Sequence, residues 1–600
     1  MSFSRSFQAA VTAFQNKEYD LAQSICEQLT KQIKNCEIFH LLALINKAKN
    51  KLDKSRYYFE IAVKYGSNNA NIHANFANLL ANLNDNQLAK KHYSIALKLD
   101  PEFSDVKVNF SLLLSKERNL SAALNLIDSE IEKRAQPQKL LKIKAKILQN
   151  CLEFNQSEAL FRVCLAHDPS DYFCQINYVC VLRELEQYPL ALSFLQQITI
   201  QQPQNSEIAF LTGCIYYDQQ AYKEAEYFLK QALIFSPENI AAHEALNKLY
   251  WEQDQQALFL TSYEILKNTV PSAQLSYSKI AQQIQANQFE QAQVELNLLP
   301  NSIINTSGFT HLQAVIADRL GDKAKANDFY ARAALADPGN LRLQIDFANL
   351  LIKQKKYLQA LSILEPLSNL HFFNQELWAY KGICWRLLNN PKHNWLNNYE
   401  QFIQPINLGY PSGYDSQAHF LHELSDTLIS LHTGKNQPLD QSVRQGTQTI
   451  GNLLNKKLTV IQEYKHLLTK AAHVYLNQLP TDPTHPLLSR NRGQFSFEGS
   501  WSVKLNSGGF HSNHVHPLGW ISGPSYINVP KEINANDPTK AGWVKFGETA
   551  LELGEDEHIG RMICPQSGFV VLFPSYMWHG TQPFNSLQTR LTAPVDISPQ

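Results

Sequence analysis

Leu229-Lys230-Gln231-Ala232-Leu233-Ile234-Phe235-Ser236-Pro237-Glu238-Asn239 is an apolar helical run closed by a proline five residues after Ala232. Proline lacks an amide hydrogen and clashes with the preceding turn, so a helix ends before it. Moving outward, Gly213, Ala225, Ala232 and Pro237 are spaced 12, 7 and 5 apart. Ala77, Ala89, Ala96 and Pro101 repeat that spacing, as do Ala314, Ala326, Ala333 and Pro338. Prolines 169, 203, 237 and 271 stand at intervals of 34, with Pro101 and Pro137 nearly in step.

A 34-residue period with small residues at fixed offsets predicts pairs of antiparallel helices, because small side chains let helices approach closely where they cross. The pattern resembles the tetratricopeptide repeat, with eleven or twelve units between residues 3 and 405. It is poor between 240 and 305, where Pro300 falls early. Such arrays commonly bind an extended peptide or a partner helix on their concave face, so the resemblance implies a protein or peptide partner.

Composition narrows the remaining classes. Of 600 residues, 44% are hydrophobic, and Lys plus Arg and Asp plus Glu each number 54, giving no net charge. A nucleic-acid binder normally carries a basic excess, so neither nucleic acid nor membrane is expected as a partner. No secretory h-region and no run of membrane-spanning length is present, which predicts a cytoplasmic protein. Seven of the nine cysteines precede residue 220 and none has CxxC spacing. They read as small buried residues and not as a zinc cluster or disulfides.

Beyond residue 385 the 34-residue spacing fails. The expected domains are a repeat solenoid over 1–385, a linker or capping segment over 386–414, and a second module over 415–600. Within the last, a helical lead-in covers 415–485, with helices over 417–429 and about 459–479, and a jelly roll covers 490–600. Short β-type runs at 495–505, 523–529, 543–546, 569–573 and 591–597, separated by Gly, Pro and Asn turns, predict that closed double sheet.

Inside the β module, Asn506-Ser507-Gly508-Gly509-Phe510-His511-Ser512-Asn513-His514-Val515-His516-Pro517 places two histidines at i and i+2. On a β-strand these share a face, so both imidazoles reach one metal ion. His579, just past the apolar run Gly568–Pro574, is the expected third ligand, and Arg590 and Thr592 follow on one face of the last strand. His419 and His422, one helical turn apart, read as an ordinary helix face.

The order HxH-Pro, then Ser522-Gly523-Pro524-Ser525-Tyr526-Ile527-Asn528-Val529-Pro530, then Phe573-Pro574-Ser575 with His579, then Arg590-x-Thr592, resembles the 2-oxoglutarate-Fe(II) oxygenases often fused to tetratricopeptide repeats. The segment 438–449 resembles a stretch before the barrel in that group. The resemblance implies a double-stranded β-helix, ferrous iron and 2-oxoglutarate as cofactors, and a dioxygenase that hydroxylates a protein or peptide recruited by the repeats. His514, His516 and His579 are then the metal and catalytic residues. Arg590 would grip the far carboxylate of 2-oxoglutarate in bidentate fashion, with Thr592 and Tyr526 as hydroxyl donors. One departure matters: the general superfamily pattern has Asp or Glu where this chain has His516, leaving three neutral nitrogens, a set that also suits zinc. Two further classes fit the same residues: a non-catalytic interaction scaffold with a metal-binding jelly roll, and a three-histidine dioxygenase independent of 2-oxoglutarate.

Overall fold

The computed structural model describes residues 3–83, 85–134, 137–266, 272–439 and 441–600. Pro271 of the proline series and Asp440 of the pre-barrel segment lie outside the described residues. The chain divides into two compact units, Met1–Leu185 and Glu186–Gln600.

Helix pairs build the first unit and the front of the second. In the first, Ala70–Asn82 packs on Asn86–Leu99; in the second, Ser206–Asp218 packs on Tyr222–Phe235. The small residues at the repeat offsets are buried: Ala77, Ala89 and Ala96 in the first unit, and Ala225, Ala232, Ala314, Ala326 and Ala333 in the second. Gly213 must lack a side chain, since a methyl there would stand 2.8 Å from Leu229 Cγ and 3.1 Å from the Leu229 amide nitrogen. Pro101, Pro169, Pro203, Pro237 and Pro338 each fall two residues past the end of a second helix, as the sequence requires.

The two helices of a pair are joined by a turn with one left-handed residue. These are Lys17, Asn50, Arg118 and Leu152 in the first unit, and Glu186, Gln220, Asp254, Asn287, Gly321, Lys355 and Asn389 in the second. The backbone period therefore continues through 240–305, where the side-chain spacing fails. What changes there is the second helix. After Ile240–Glu252 the chain makes two 3-10 turns, Gln256–Leu258 and Thr261–Leu266, and after Ala273–Gln285 the helix Phe289–Asn297 has only nine residues.

Among the described residues the β region contains ten strands: β1 (Gln404–Asn407), β2 (Val443–Gln448), β3 (Phe495–Ser500), β4 (Val503–His511), β5 (Ile521–Asn528), β6 (Val544–Phe546), β7 (Arg561–Ile563), β8 (Phe569–Pro574), β9 (His579–Thr581) and β10 (Arg590–Pro599). One antiparallel sheet has the order β1-β8-β5-β10-β4-β2, with β3 also paired to β10. A second has the order β7-β6-β9, and a bridge between His514 and His579 links the two. This is the antiparallel double sheet of a jelly roll. β1 comes from the stretch read as linker and β2 from the stretch read as helical lead-in. Helices Gln417–Ser430 and Thr459–Gln478 stand where the sequence placed them.

One hydrophobic core runs from the last repeats into the barrel, joining Leu377, Trp378 and Trp385 to Phe420, Tyr464, Trp520, Phe573 and Leu591. A fragment starting at residue 410 would therefore expose apolar surface that the intact chain buries. No helix among the described residues is long and apolar enough to cross a membrane. All nine cysteines are free, and burial pushes the thiols of Cys26, Cys174 and Cys384 up to about 12.

Candidate metal centre

The histidine pair does not lie on a regular strand. β4 ends at His511, His514 forms the single bridge to His579, and His516 lies in the connection to β5. At this interruption the Asn513 side chain donates to the Glu548 carboxylate and to the Thr549 carbonyl, and pairing resumes for one residue only. Extended backbone still brings the rings of His514 and His516 to 5.2 Å between centroids. His579, at the head of β9, exchanges both backbone hydrogen bonds with His514 at 2.8 and 3.0 Å. Gly580 lets the strands approach this closely, for a Cβ there would meet Asn513 Oδ1 at 2.3 Å.

One ligand atom from each of His514, His516 and His579 lies within 4.8 Å of the others. In each ring Nδ1 is already engaged: by the Ser512 carbonyl at 2.8 Å, the Asp596 carboxylate at 2.8 Å and the Met577 carbonyl at 2.9 Å. Acceptors on Nδ1 hold the proton there and leave the Nε2 lone pair free, the arrangement found behind metal-bound imidazoles. Burial together with the neighbouring His516 pushes the His514 imidazole down to about 3. Burial also drives His579 well below the ordinary range. His516 differs: burial lowers it, but the charge and hydrogen bond of Asp596 outweigh that and hold it above the usual value.

Asp596 was not foreseen, and it answers the absence of an anionic ligand one hydrogen bond further out. Its carboxylate also accepts from Ser522 Oγ at 2.6 Å. The signal for it was the period of two along β10, in which Arg590, Thr592 and Asp596 share a face. His511, near the triad but outside it, pairs through Nδ1 with Ser442 Oγ at 3.0 Å. Ser442 stands 3.4 Å from His514 Nε2.

Arg590 and Thr592 line the same cavity of about 960 Å³ as the three histidines. Arg590 is 2% exposed, yet its Nε and Nη1 have no hydrogen-bond partner, and neither does the buried Tyr526 hydroxyl. The guanidinium lies over the Tyr526 ring at 5.2 Å. An unpaired buried cation is costly, and no carboxylate pairs with Arg590 among the described residues. Three imidazole donors beside a buried arginine that has no carboxylate partner among the described residues fit a divalent metal and an anionic co-ligand. His419 and His422 are exposed, each 3.8 Å from an aspartate on its own helix or just before it, and take no part.

Besides the barrel strands, β2, the segment before it and the repeats wall the cavity. β2 brings Arg444, and a strap ahead of β2 is fastened to the repeats: Trp251 Nε1 donates to the Gln437 carbonyl at 2.9 Å, and the amides of Lys435 and Asn436 donate to the Glu252 carbonyl. From the repeats themselves Trp251, Phe289, Val315 and Arg319 line the same space.

Among curated proteins none matches the chain. Solved structures similar to it include a tetratricopeptide repeat protein from Parabacteroides merdae, 17% identical over 41% of this chain and 97% of that one, with a TM-score of 0.37. Yeast Tom70 is 14% identical over 61% of this chain and 91% of that one, with a TM-score of 0.32. Residues 179–240 match the family model described as tetratricopeptide repeat, and residues 499–596 match the one described as "Putative 2OG-Fe(II) oxygenase". The chain joins tetratricopeptide repeats to a domain of that oxygenase family.

Proposed function

We propose that this chain is an Fe(II)- and 2-oxoglutarate-dependent dioxygenase that hydroxylates a protein or peptide recruited by its repeats. The observation that carries the reading is Arg590: a buried guanidinium without a carboxylate partner among the described residues, on the same cavity as three imidazoles whose ligand atoms lie within 4.8 Å of one another. An arginine turned away from the histidines would favour a dioxygenase that needs no 2-oxo acid.

His514, His516 and His579 would hold the metal through Nε2, with Asp596 orienting His516 and raising its basicity. Arg590 would take the far carboxylate of the 2-oxo acid with two parallel N–H bonds, and the hydroxyls of Tyr526 and Thr592 stand as further donors. When bound, ferrous iron and 2-oxoglutarate supply the oxidation: dioxygen is divided between the substrate, which gains a hydroxyl, and the 2-oxo acid, which leaves as succinate and carbon dioxide. The protein's own work is positioning and desolvation. The apolar side chains of Val544 and Phe573 line the cavity close to the histidines and keep water from them.

Anaerobic addition of Fe(II) and 2-oxoglutarate to the pure protein tests the reading. A visible charge-transfer band that saturates with 2-oxoglutarate is expected. Stoichiometric metal binding without any such band would refute the 2-oxoglutarate role.

A further inference from the structure

We propose that the repeat helices form one wall of the substrate site itself, and that this wall selects an acidic polypeptide segment. The inference rests on the oxygenase reading above and adds the chemical class of the substrate. Trp251, Phe289, Val315 and Arg319 belong to repeat helices, yet they line the cavity that holds the histidine triad. Trp251 and Phe289 come from the part of the array where the second helices shorten or give way to 3-10 turns, whereas Val315 and Arg319 belong to a pair that keeps the repeat spacing.

Charge identifies the occupant. Among the described residues the cavity is lined by three arginines, Arg319, Arg444 and Arg590, and by one acid, Asp596, which is already bound to His516. Among the described residues no carboxylate pairs with any of the three. Arg444 Nη1 donates to the carbonyls of Gln441 and Val443, contacts that orient the group without neutralising it. A dipositive metal and a dianionic 2-oxo acid cancel, and Arg590 balances Asp596. Arg319, exposed at the edge of the cavity, and the half-buried Arg444 remain without a carboxylate partner among the described residues, and such cations attract carboxylates. The volume points to a polypeptide. About 960 Å³ is at the upper end for a small-molecule pocket, roughly 300–1,000 Å³, and a five-carbon 2-oxo acid fills little of it. Aromatic and aliphatic side chains beside the arginines suit an extended segment whose Asp or Glu side chains reach Arg319 and Arg444.

The test uses the full chain, loaded anaerobically with Fe(II) and 2-oxoglutarate, and fluorescein-labelled random peptide pools whose fixed positions are Asp/Glu, Asn/Gln or Lys/Arg. Fluorescence anisotropy should show the acidic pool binding at least about tenfold tighter than the amide pool, with the advantage shrinking as salt rises. Arg319→Glu and Arg444→Glu should each remove it, and Arg319→Lys should keep it; thermal unfolding of each variant verifies its fold. Equal binding of the acidic and amide pools by the unmodified chain overturns the proposal, as does an acidic preference that survives both Glu substitutions. The charge-transfer band of the unmodified chain is read in the same samples. Its absence beside intact acidic preference refutes the oxygenase reading alone, and its presence beside equal pools refutes this inference alone.

Discussion

Two neighbouring parts of the array differ in what they bury. The pair Ser206–Asp218 and Tyr222–Phe235 keeps the repeat spacing and closes around Gly213, Ala225, Leu229 and Ala232, with its apolar groups packed on one another. The stretch that follows, from Ile240 to Asn297, keeps the left-handed turns at Asp254 and Asn287 but loses a full second helix, and it presents Trp251 and Phe289 to the cavity. The pair Ser307–Arg319 and Lys323–Ala336 keeps the consensus spacing and still lends Val315 and Arg319 to the cavity, so the departure is confined to 240–297 and is not a condition for facing the barrel. At the level of single groups the contrast is one of charge: the buried Arg590 has no carboxylate partner among the described residues, whereas the half-buried Asp346 of the repeats is paired with Arg342 and His311.

The sharpest way to break that contrast is at the triad. His579→Ala or His514→Ala should abolish stoichiometric metal, measured by elemental analysis, without lowering the thermal midpoint of the metal-free protein. His511→Ala should keep the metal. Full metal content in the His579 variant would remove the triad from consideration.

The next effect belongs to the scaffold and is set by pH. Burial, with Lys504 nearby, holds the His432 imidazole down to about 4, between Thr447 Oγ1 and Ser502 Oγ. Its folded value lies below the unfolded one of about 6.5, so the unfolded chain takes up the proton first and stability falls as pH drops from about 6.5 toward 4. The loss from this one group is roughly 3 kcal/mol at the acid end. Denaturant titrations across that range should show a shallower acid limb for His432→Gln; an unchanged limb would mean that His432 does not titrate on unfolding as described.

Arg590→Lys should weaken 2-oxoglutarate saturation of the visible band about 10- to 100-fold, because an ammonium cannot make two parallel bonds to a carboxylate. Asp596→Asn should weaken metal binding by a similar factor, about 10- to 100-fold. Unchanged saturation or metal affinity would show that the unmatched charge and its neighbours are not tuned for these ligands. At the small end, Ala232→Leu should cost about 1 to 3 kcal/mol of stability by overpacking the helix crossing, with metal content unaltered. Loss of metal in that variant would show scaffold and site to be energetically inseparable.

Much of the fold was legible because its signals are local and periodic. The proline and alanine offsets mark helix ends and crossings, and the runs at 569–573 and 591–597 are apolar enough to be core strands. β1 and β2 were missed because each is a short strand in turn-rich sequence, stabilised by pairing with β8 and β4 and not by its own pattern. The strand placement of His514 and His516 failed because the ladder is interrupted after His511, where the Asn513 side chain donates to Glu548 and to the Thr549 carbonyl, and it returns only as the single bridge at His514.

The sequence alone determined the repeat period, the order of histidines and arginine, and the face shared by Arg590 and Thr592, since each depends only on spacing along one element. The tertiary structure alone decided that Asp596 meets His516 across 80 residues, that Ser442 stands beside His514, and that Trp251 and Arg319 face the same cavity as the triad. Those contacts depend on which strands neighbour one another and on how the last repeats share a core with the barrel. Hydrophobic burial summed over the whole chain selects that arrangement, and no local spacing encodes it.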